Sequence, residues 1–187
     1  MTAFREIAMP MAEAPPDGRR PSAVLVALMD DGDRVQVILT ERSAQLRHHA
    51  GQISFPGGRI DDGESAIDAA LREAHEEIGL KPEDVEVLGH LPGVVTTANF
   101  HIAPVVGVVR RQVELTPAPD EVARILIEDI QPLLDRSQFE REPKQYNGVD
   151  YQTWVIRHPR EYIWGATAKL LVQCASLYHH AIEKGAA

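Results

Sequence analysis

The sequence is poor in the features that define several protein classes. Its single cysteine, Cys174, excludes an internal disulfide and a cysteine-only metal site. Aromatic residues make up only 5% of the chain, and no apolar run approaches the roughly 20 residues that a membrane-spanning helix needs. Residues 1–23 lack the continuous apolar stretch of a secretory signal. We therefore expect a cytoplasmic protein that does not bind to membranes.

Positive charge is also in short supply. Lysine and arginine number 19 against 28 aspartates and glutamates, which gives a net charge of −9. Long nucleic acids are bound largely by neutralising their phosphates with lysine and arginine, so we do not expect a nucleic acid as partner. A small polyanionic substrate would need local help from divalent cations or a few well-placed arginines.

The chain length suits one domain. Its 187 residues lie in the usual size range of single domains, and its hydrophobic fraction of 44% is average for a globular protein. Residues 1–21 contain four prolines and little periodicity, which predicts a mobile or loosely docked N-terminal arm. We therefore predict an arm at residues 1–21 and one domain at residues 22–187.

Hydrophobic periodicity and turn residues predict an α+β fold with strands mixed with two good helices. Strands are expected at residues 23–29, 34–39, 52–55, 84–91, 100–109 and 151–156. Helices are expected at residues 65–78, with Gly79 as the stop, at residues 127–134, and from about residue 164 to 178. No internal repeat is visible.

The helix at residues 65–78 has an acidic edge. With 3.6 residues per turn, Glu73, Glu76 and Glu77 lie within one arc beside an apolar stripe. That stripe consists of Ile67, Ala70, Leu71, Ala74 and Ile78. Like charges at this spacing destabilise a helix by roughly 0.2–0.5 kcal/mol per pair. A solvated acidic face is one interpretation, and a site for a hard divalent cation is the other.

The surroundings of this helix favour the second interpretation. Gly58 is followed after five residues by Glu64, and after seven more by Arg72-Glu73, Glu76-Glu77 and Gly79. This spacing resembles the Nudix box over residues 58–80. The resemblance implies a Nudix-type α/β/α sandwich with a mixed central sheet, in which the box forms a loop, a helix and a loop.

The resemblance also implies the chemistry. Nudix enzymes hold Mg²⁺ or Mn²⁺ against a diphosphate, and a metal-activated water attacks phosphorus. By matching positions, Glu73 and Glu77 would be the principal metal ligands, and Glu76 a further ligand or the base. Arg72 would hold a glutamate in place, and Gly58 would let the backbone approach the metal.

The segment before the box narrows the substrate. Residues 38–58 resemble the signature of coenzyme A pyrophosphatases, and the matching residues are Arg42, Arg47, Gly51 and Phe55-Pro56-Gly57-Gly58. The resemblance implies a substrate-binding role for Arg42, Arg47, Gly51, Phe55 and Gly57. A guanidinium can grip a phosphate through two hydrogen bonds, and coenzyme A carries a 3′-phosphate besides its diphosphate. A purely structural salt bridge is the alternative for either arginine.

Two further positions have open roles. The resemblance continues over roughly residues 22–178 and includes Glu121 and Trp164. Glu121 lies in a proline-containing loop, where it could reach the metals or the water, or could be a surface or helix-capping carboxylate. Trp164 is expected to pack in the core rather than to stack on a base.

The function implied is hydrolysis of coenzyme A or acyl-coenzyme A to 3′,5′-ADP and 4′-phosphopantetheine or its acyl form. One rival is a Nudix pyrophosphatase acting on ADP-ribose, NADH or nucleoside triphosphates, since the box leaves the attached group open. Another is a nucleotide-binding regulator without turnover, which would usually lack one of the three glutamates. The expected partner is a small molecule, and a homodimer is left open.

Overall fold

The computed structural model describes residues 1–9, 18–30, 32–46, 49–109, 113–146 and 148–185. The strands in these residues are β1 Arg20–Asp30, β2 Val35–Arg42, β3 Ile53–Ser54, β4 Gly57–Arg59, β5 Val85–His90, β6 Val94–Val95, β7 Phe100–Val109, β8 Val122–Asp129, β9 Phe139–Tyr146, β10 Val149–Arg157 and β11 Tyr162–Trp164. The α-helices are α1 Thr2–Ile7, α2 Ala66–Ile78, α3 Ile130–Leu133 and α4 Gly165–Glu183. None of these helices has the length and apolar character needed to cross a membrane.

Two sheets organise the fold. The larger sheet has the order β3-β2-β1-β7-β5, with β4 paired to β1, β6 to β7 and β8 to β2. Strands β1 and β7 run parallel, whereas the other pairs in this sheet are antiparallel. The smaller sheet is antiparallel with the order β11-β10-β9. The central sheet is therefore mixed, as predicted.

The central sheet separates two cores because alternate side chains of a strand point to opposite faces. On one face Leu25 of β1 packs with Ala74 and Ile78 of α2. On the other face Val26 and Leu28 of β1 pack with α4 and with residues of the smaller sheet. Helical layers thus cover both faces of the sheet, which confirms the predicted α/β/α sandwich.

Helix α2 is formed as its sequence predicts. Ser65 caps its N-terminus, where the hydroxyl accepts a hydrogen bond from the backbone N–H of Asp68 at 3.1 Å. Gly79 ends it in the left-handed conformation, with φ of 69°, and donates its N–H to the His75 carbonyl at 2.9 Å. The helix is therefore fixed at both ends.

The short helix expected at residues 127–134 is wrong in its first half. Strand β8 runs to Asp129, and α3 begins only at Ile130. Strand β8 pairs with β2 over most of its length, from Val122 opposite Arg42 to Asp129 opposite Gln36. Partners 80 to 93 residues apart supply hydrogen bonds that local sequence patterns do not reveal.

The first residues of the N-terminal segment contact the domain. Thr2–Ile7 forms helix α1, and Phe4 is only 1% exposed, with its ring 5.1 Å from that of Tyr178 in α4. Met9 then exchanges two backbone hydrogen bonds with His90. The apolar side chains on one face of this short helix cover α4, so residues 1–9 are docked. Residues 10–17 of the expected arm lie outside the described residues.

Candidate active site

Arg72 is the organising residue of the acidic edge of α2. Its Nη1 donates to Glu73 Oε1 at 2.9 Å and to Glu76 Oε2 at 3.1 Å. Its Nε and Nη2 donate to the two oxygens of Glu64, at 2.8 and 3.1 Å, and Nη2 also donates to the Arg59 carbonyl. One guanidinium thus connects three carboxylates and ties α2 to the loop before it.

Glu64, which matches the spacing of the box but was given no predicted role, supports Arg72. The hydrogen bond from Arg72 holds the pKa of the Glu64 carboxyl below its ordinary value, and the backbone N–H of Asp61 acts in the same direction. Glu64 lies before the first residue of α2, so helical spacing does not connect it to Arg72. The bidentate pairing of guanidinium and carboxylate fixes the orientation of Arg72.

Glu77 is the most buried of the three glutamates. It is only 3% exposed, accepts a hydrogen bond from the Gly57 N–H at 3.1 Å and lies 3.8 Å from Nη1 of Arg42. Burial raises the pKa of Glu77 to about 7, and the neighbouring charges of Glu73 and Glu121 add to that rise. The Gly57 N–H and Arg42 oppose it. This carboxylate has few partners for its charge.

Glu73 is in a similar position at the edge of the core. Burial is the largest cause that raises its pKa, and the charges of Glu76 and Glu121 also raise it, while Arg72 opposes them. Glu76, in contrast, is exposed. Of the three glutamates, Glu73 and Glu77 are therefore the two whose charged forms are destabilised by burial and by neighbouring carboxylates.

The two glycines of the strand β4 are required by close contacts. A Cβ at Gly58 would collide with the Glu73 carboxylate, and a Cβ at Gly57 would collide with the backbone of Ala23 and Val24. Gly57 also has a φ of 154°, which favours glycine. The backbone of β4 thus lies directly against the acidic edge of α2.

Glu121 is brought beside the site by a loop that is tied to α2. The Ala118 N–H donates to the Glu77 carbonyl at 2.9 Å, and the Ser43 N–H donates to the Glu121 carbonyl at 2.8 Å. The effect of Glu121 on the pKa values of Glu73 and Glu77 shows that its charge acts on both. Glu121 is itself exposed, so both roles left open for it, toward the metals or the water and as a surface carboxylate, stay open.

The donor set fits a hard divalent cation in its chemistry. Carboxylate oxygens are the preferred ligands of Mg²⁺, and the carboxyls of half-buried Glu73 and buried Glu77 carry raised pKa values that a nearby cation would reverse. Across the described residues, no three or more acidic, histidine or cysteine side chains are arranged so that they could together hold a metal ion.

The substrate-binding residues predicted before the box are only partly brought together. Arg42 and Gly51 lie at the two ends of a loop, where the Gly51 N–H donates a hydrogen bond to the Arg42 carbonyl at 3.0 Å. Gly51 is exposed with φ of 69°, so it shapes this turn and does not line the cavity described below. Phe55 is buried at 2% exposure. Arg47 lies outside the described residues.

A cavity of about 490 Å³ opens beside the acidic edge, between the central sheet and the smaller sheet. Arg42 and Gly57, which contact Glu77, line it, as does Phe55. Its far side is lined from the smaller sheet and the start of α4 by Arg141, Tyr151, Trp154, Trp164 and Lys169. Trp164 therefore faces a cavity and is half-buried, whereas core packing was expected.

Arg141 was missed because strand β9, to which it belongs, was not predicted. Strand β9 contains three charged residues in succession, from Glu140 to Glu142, and its pairing with β10 places Arg141 opposite Trp154. A hairpin signal is present in the Gly148 turn with φ of 78°. Together with the β-rich run that follows, it indicates a second sheet and hence a second wall for a cavity.

Comparisons with known proteins agree with this geometry. The NUDIX domain model matches residues 18–146. The chain is 37% identical over 158 residues to the uncharacterized Nudix hydrolase NudL of Citrobacter koseri, covering 84% of this chain and 82% of the relative. It is 36% identical over 174 residues to NudL of Pectobacterium atrosepticum, covering 91% and 88%.

A solved structure shares the fold. The MutT protein from Methanosarcina mazei Go1 superposes with a TM-score of 0.54 at 14% identity, covering 88% of this chain and 94% of that one. That likeness concerns the fold alone. The family model extends over residues 18–146, which include the acidic helix, its arginine and the two glycines beside it. The chain belongs to the Nudix hydrolase family.

Proposed function

We propose that this Nudix hydrolase cleaves the diphosphate of coenzyme A or acyl-coenzyme A, with Mg²⁺ or Mn²⁺. The products would be 3′,5′-ADP and 4′-phosphopantetheine or its acyl form. The observation that carries the proposal is the position of Arg42. This arginine of the segment before the box lines the cavity and lies 3.8 Å from Glu77, so one residue connects the substrate cavity with the acidic edge.

The cavity is suited to a substrate of this size and charge. Its volume of about 490 Å³ lies in the range of small-molecule sites, roughly 300–1,000 Å³. Its aromatic side chains offer flat apolar surface to a base, and its arginines offer donors to phosphates. Coenzyme A combines a base, a diphosphate and a further phosphate with an apolar arm.

The residues would share the work as follows. Glu73 and Glu77 would hold the cation, and Arg72 would keep Glu73 in place. The cation would neutralise charge that develops on the diphosphate and lower the pKa of a bound water. Glu76, exposed and bonded to Arg72, would be a further ligand or the base. Arg42 would orient the diphosphate, and Gly58 leaves room for the Glu73 carboxylate.

A substrate panel tests the proposal directly. Purified protein with Mg²⁺ or Mn²⁺ is incubated with coenzyme A, acetyl-coenzyme A, ADP-ribose and NADH, and the products are separated by chromatography. We expect 3′,5′-ADP from coenzyme A or its acetyl form, and no product when EDTA is present. Cleavage of ADP-ribose or NADH without cleavage of either coenzyme would refute the substrate assignment.

Two variants test the roles of the glutamates. Glu76→Gln and Glu77→Gln each keep the side-chain volume while removing the charge, so both should lose activity by 100-fold or more. Glu83→Gln, on an exposed residue after α2, is the matched control and should keep full activity. If hydrolysis is unchanged in the first two variants, the assigned roles are wrong even if the reaction is right.

A further inference from the structure

The cavity beside the acidic edge has a charge opposite to that of the whole chain. The chain carries a net charge of −9, yet no aspartate or glutamate is among the described residues that line the cavity. Its charged lining residues are Arg42, Arg141 and Lys169. An acid-free lining with cationic groups attracts an anion and excludes competing carboxylates.

Arg141 differs in its partners from four arginines that do not line the cavity. Arg72, Arg124, Arg157 and Arg160 all donate to carboxylates. The guanidinium of Arg141 instead lies 4.7 Å from the centre of the Trp154 ring and donates to the Gln152 carbonyl at 3.3 Å. No carboxylate of the described residues forms an ion pair with it, so its charge is held in position and available to a ligand.

The place of Arg141 separates it from the reaction. Arg42 and Gly57, which contact Glu77, belong to the central sheet. Arg141 belongs to β9 of the smaller sheet, on the far side of the same cavity. A group bound by Arg141 is therefore a part of the substrate away from the bond that is cleaved.

We propose that Arg141, supported by Trp154, is a specificity-determining residue that binds a phosphate monoester on the nucleoside part of the substrate. This inference rests on the proposed function and deepens it, since it assigns the 3′-phosphate of coenzyme A to the smaller sheet. The reaction itself does not need this contact. Selection between nucleotides with and without the extra phosphate does need it.

The test compares coenzyme A with dephospho-coenzyme A, which lacks the 3′-phosphate. For Arg141→Ala we expect KM for coenzyme A to rise about tenfold or more, since a charge-assisted hydrogen bond is lost, with kcat little changed. KM for dephospho-coenzyme A should stay the same. Arg141→Lys keeps the charge without the planar guanidinium, so its KM for coenzyme A should lie between those of the wild-type protein and Arg141→Ala.

Arg157→Ala is the matched control. Arg157 lies on the neighbouring strand β10, with its guanidinium 5.7 Å from the Tyr162 ring, but it does not line the cavity. This variant should leave both KM values unchanged. Equal increases of KM for both substrates in Arg141→Ala would overturn the proposal, because the lost contact would then not be with the 3′-phosphate.

A binding measurement separates this inference from the proposed function. Calorimetry of the wild-type protein with 3′,5′-ADP and with 5′-AMP should show tighter binding of the former, and Arg141→Ala and Arg141→Lys should reduce or abolish the difference. If neither coenzyme is cleaved but this preference exists and depends on Arg141, the proposed reaction fails and the phosphate site stands. If the wild-type protein shows no preference, the phosphate site is refuted whatever the reaction.

Discussion

At the level of single residues, the acidic edge of α2 is an assembly of charges that one arginine holds together. The resemblance to the Nudix box implied that Arg72 would hold a glutamate in place, and Arg72 donates to both Glu73 and Glu76. The sequence did not reveal that both carboxylate oxygens of Glu64 accept hydrogen bonds from Arg72, one from Nε and one from Nη2. That pairing depends on the path of the loop before Ser65, which no helical periodicity encodes.

Replacing Arg72 by lysine should weaken metal binding and not only remove a contact. Lysine keeps a positive charge but cannot donate to Glu64, Glu73 and Glu76 together. Loss of such a supporting residue typically costs about 10- to 100-fold in metal affinity, so the Mg²⁺ concentration for half-maximal activity should rise by that factor. A Mg²⁺ titration of the rate measures it.

The control for Arg72 is a second arginine in an ion pair. Arg5 bonds Glu86 at 3.0 Å on the surface, and Arg5→Lys should leave the Mg²⁺ titration unchanged. An unchanged titration in Arg72→Lys as well would mean that the Glu64 pairing does not position the acidic edge.

Gly58→Ala should reduce activity through Glu73. The added Cβ would overlap the Glu73 carboxylate, so the carboxylate must move, and a displacement of about 1 Å can cost about 100-fold in rate. Gly63→Ala is the control, because its Cβ meets no atom within 4 Å although φ is 82°. We expect it to lose some stability, measured by thermal unfolding, and to keep its rate. Equal rates in both variants would contradict this.

At the level of elements, local sequence predicted those that local interactions specify. Helix α2 has a cap, an apolar stripe and a glycine stop within its own residues, and all three are observed. Strands β8 and β9 were missed because their exposed faces are rich in charged residues and their partners are β2 and β10. Register between distant strands is a property of packing and turn geometry.

The junction of α1 and β5 should be sensitive to acid. His90 of β5 is 4% exposed, and its Nδ1 has no hydrogen-bond partner within the described part of the chain. Burial lowers the pKa of His90, so protonation favours the unfolded chain. The contribution of neutral His90 to the free energy of unfolding is therefore fully present above the ordinary histidine pKa of about 6.5. It falls as the pH decreases below that value, by at most about 1.4 kcal/mol per pH unit.

Urea unfolding at pH 7.5 and pH 5 measures this contribution. His90→Leu removes the titrating group and keeps an apolar side chain in the core, so this variant should lose less stability on acidification than the wild-type protein. His180→Gln, at an exposed position of α4, should behave like the wild-type protein. Identical losses in all three proteins would mean that His90 does not contribute.

At the level of the whole molecule, the two cores support different parts of the candidate site. The core that α2 covers lies under the acidic edge, whereas the core that α4 covers supports the smaller sheet and hence the far wall of the cavity. The predicted sandwich included both layers of helices. It lacked the smaller sheet beyond β10, and with it the wall that carries Arg141, because cavities arise where elements distant in sequence meet.

This division predicts that stability and catalysis can be changed separately. Phe4 of α1 packs on Tyr178, 13 residues after Gly165, the first residue of α4, which is about 20 Å along the helix from the end that lines the cavity. Phe4→Ala should lower the free energy of unfolding by about 3–5 kcal/mol, measured with urea. Because no cavity-lining residue changes, kcat and KM of the folded fraction should match the wild-type values.

The control is Glu6→Ala, at an exposed position of the same helix, which should change neither stability nor kinetics. A kinetic defect in Phe4→Ala would show that the docked N-terminal helix also shapes the cavity.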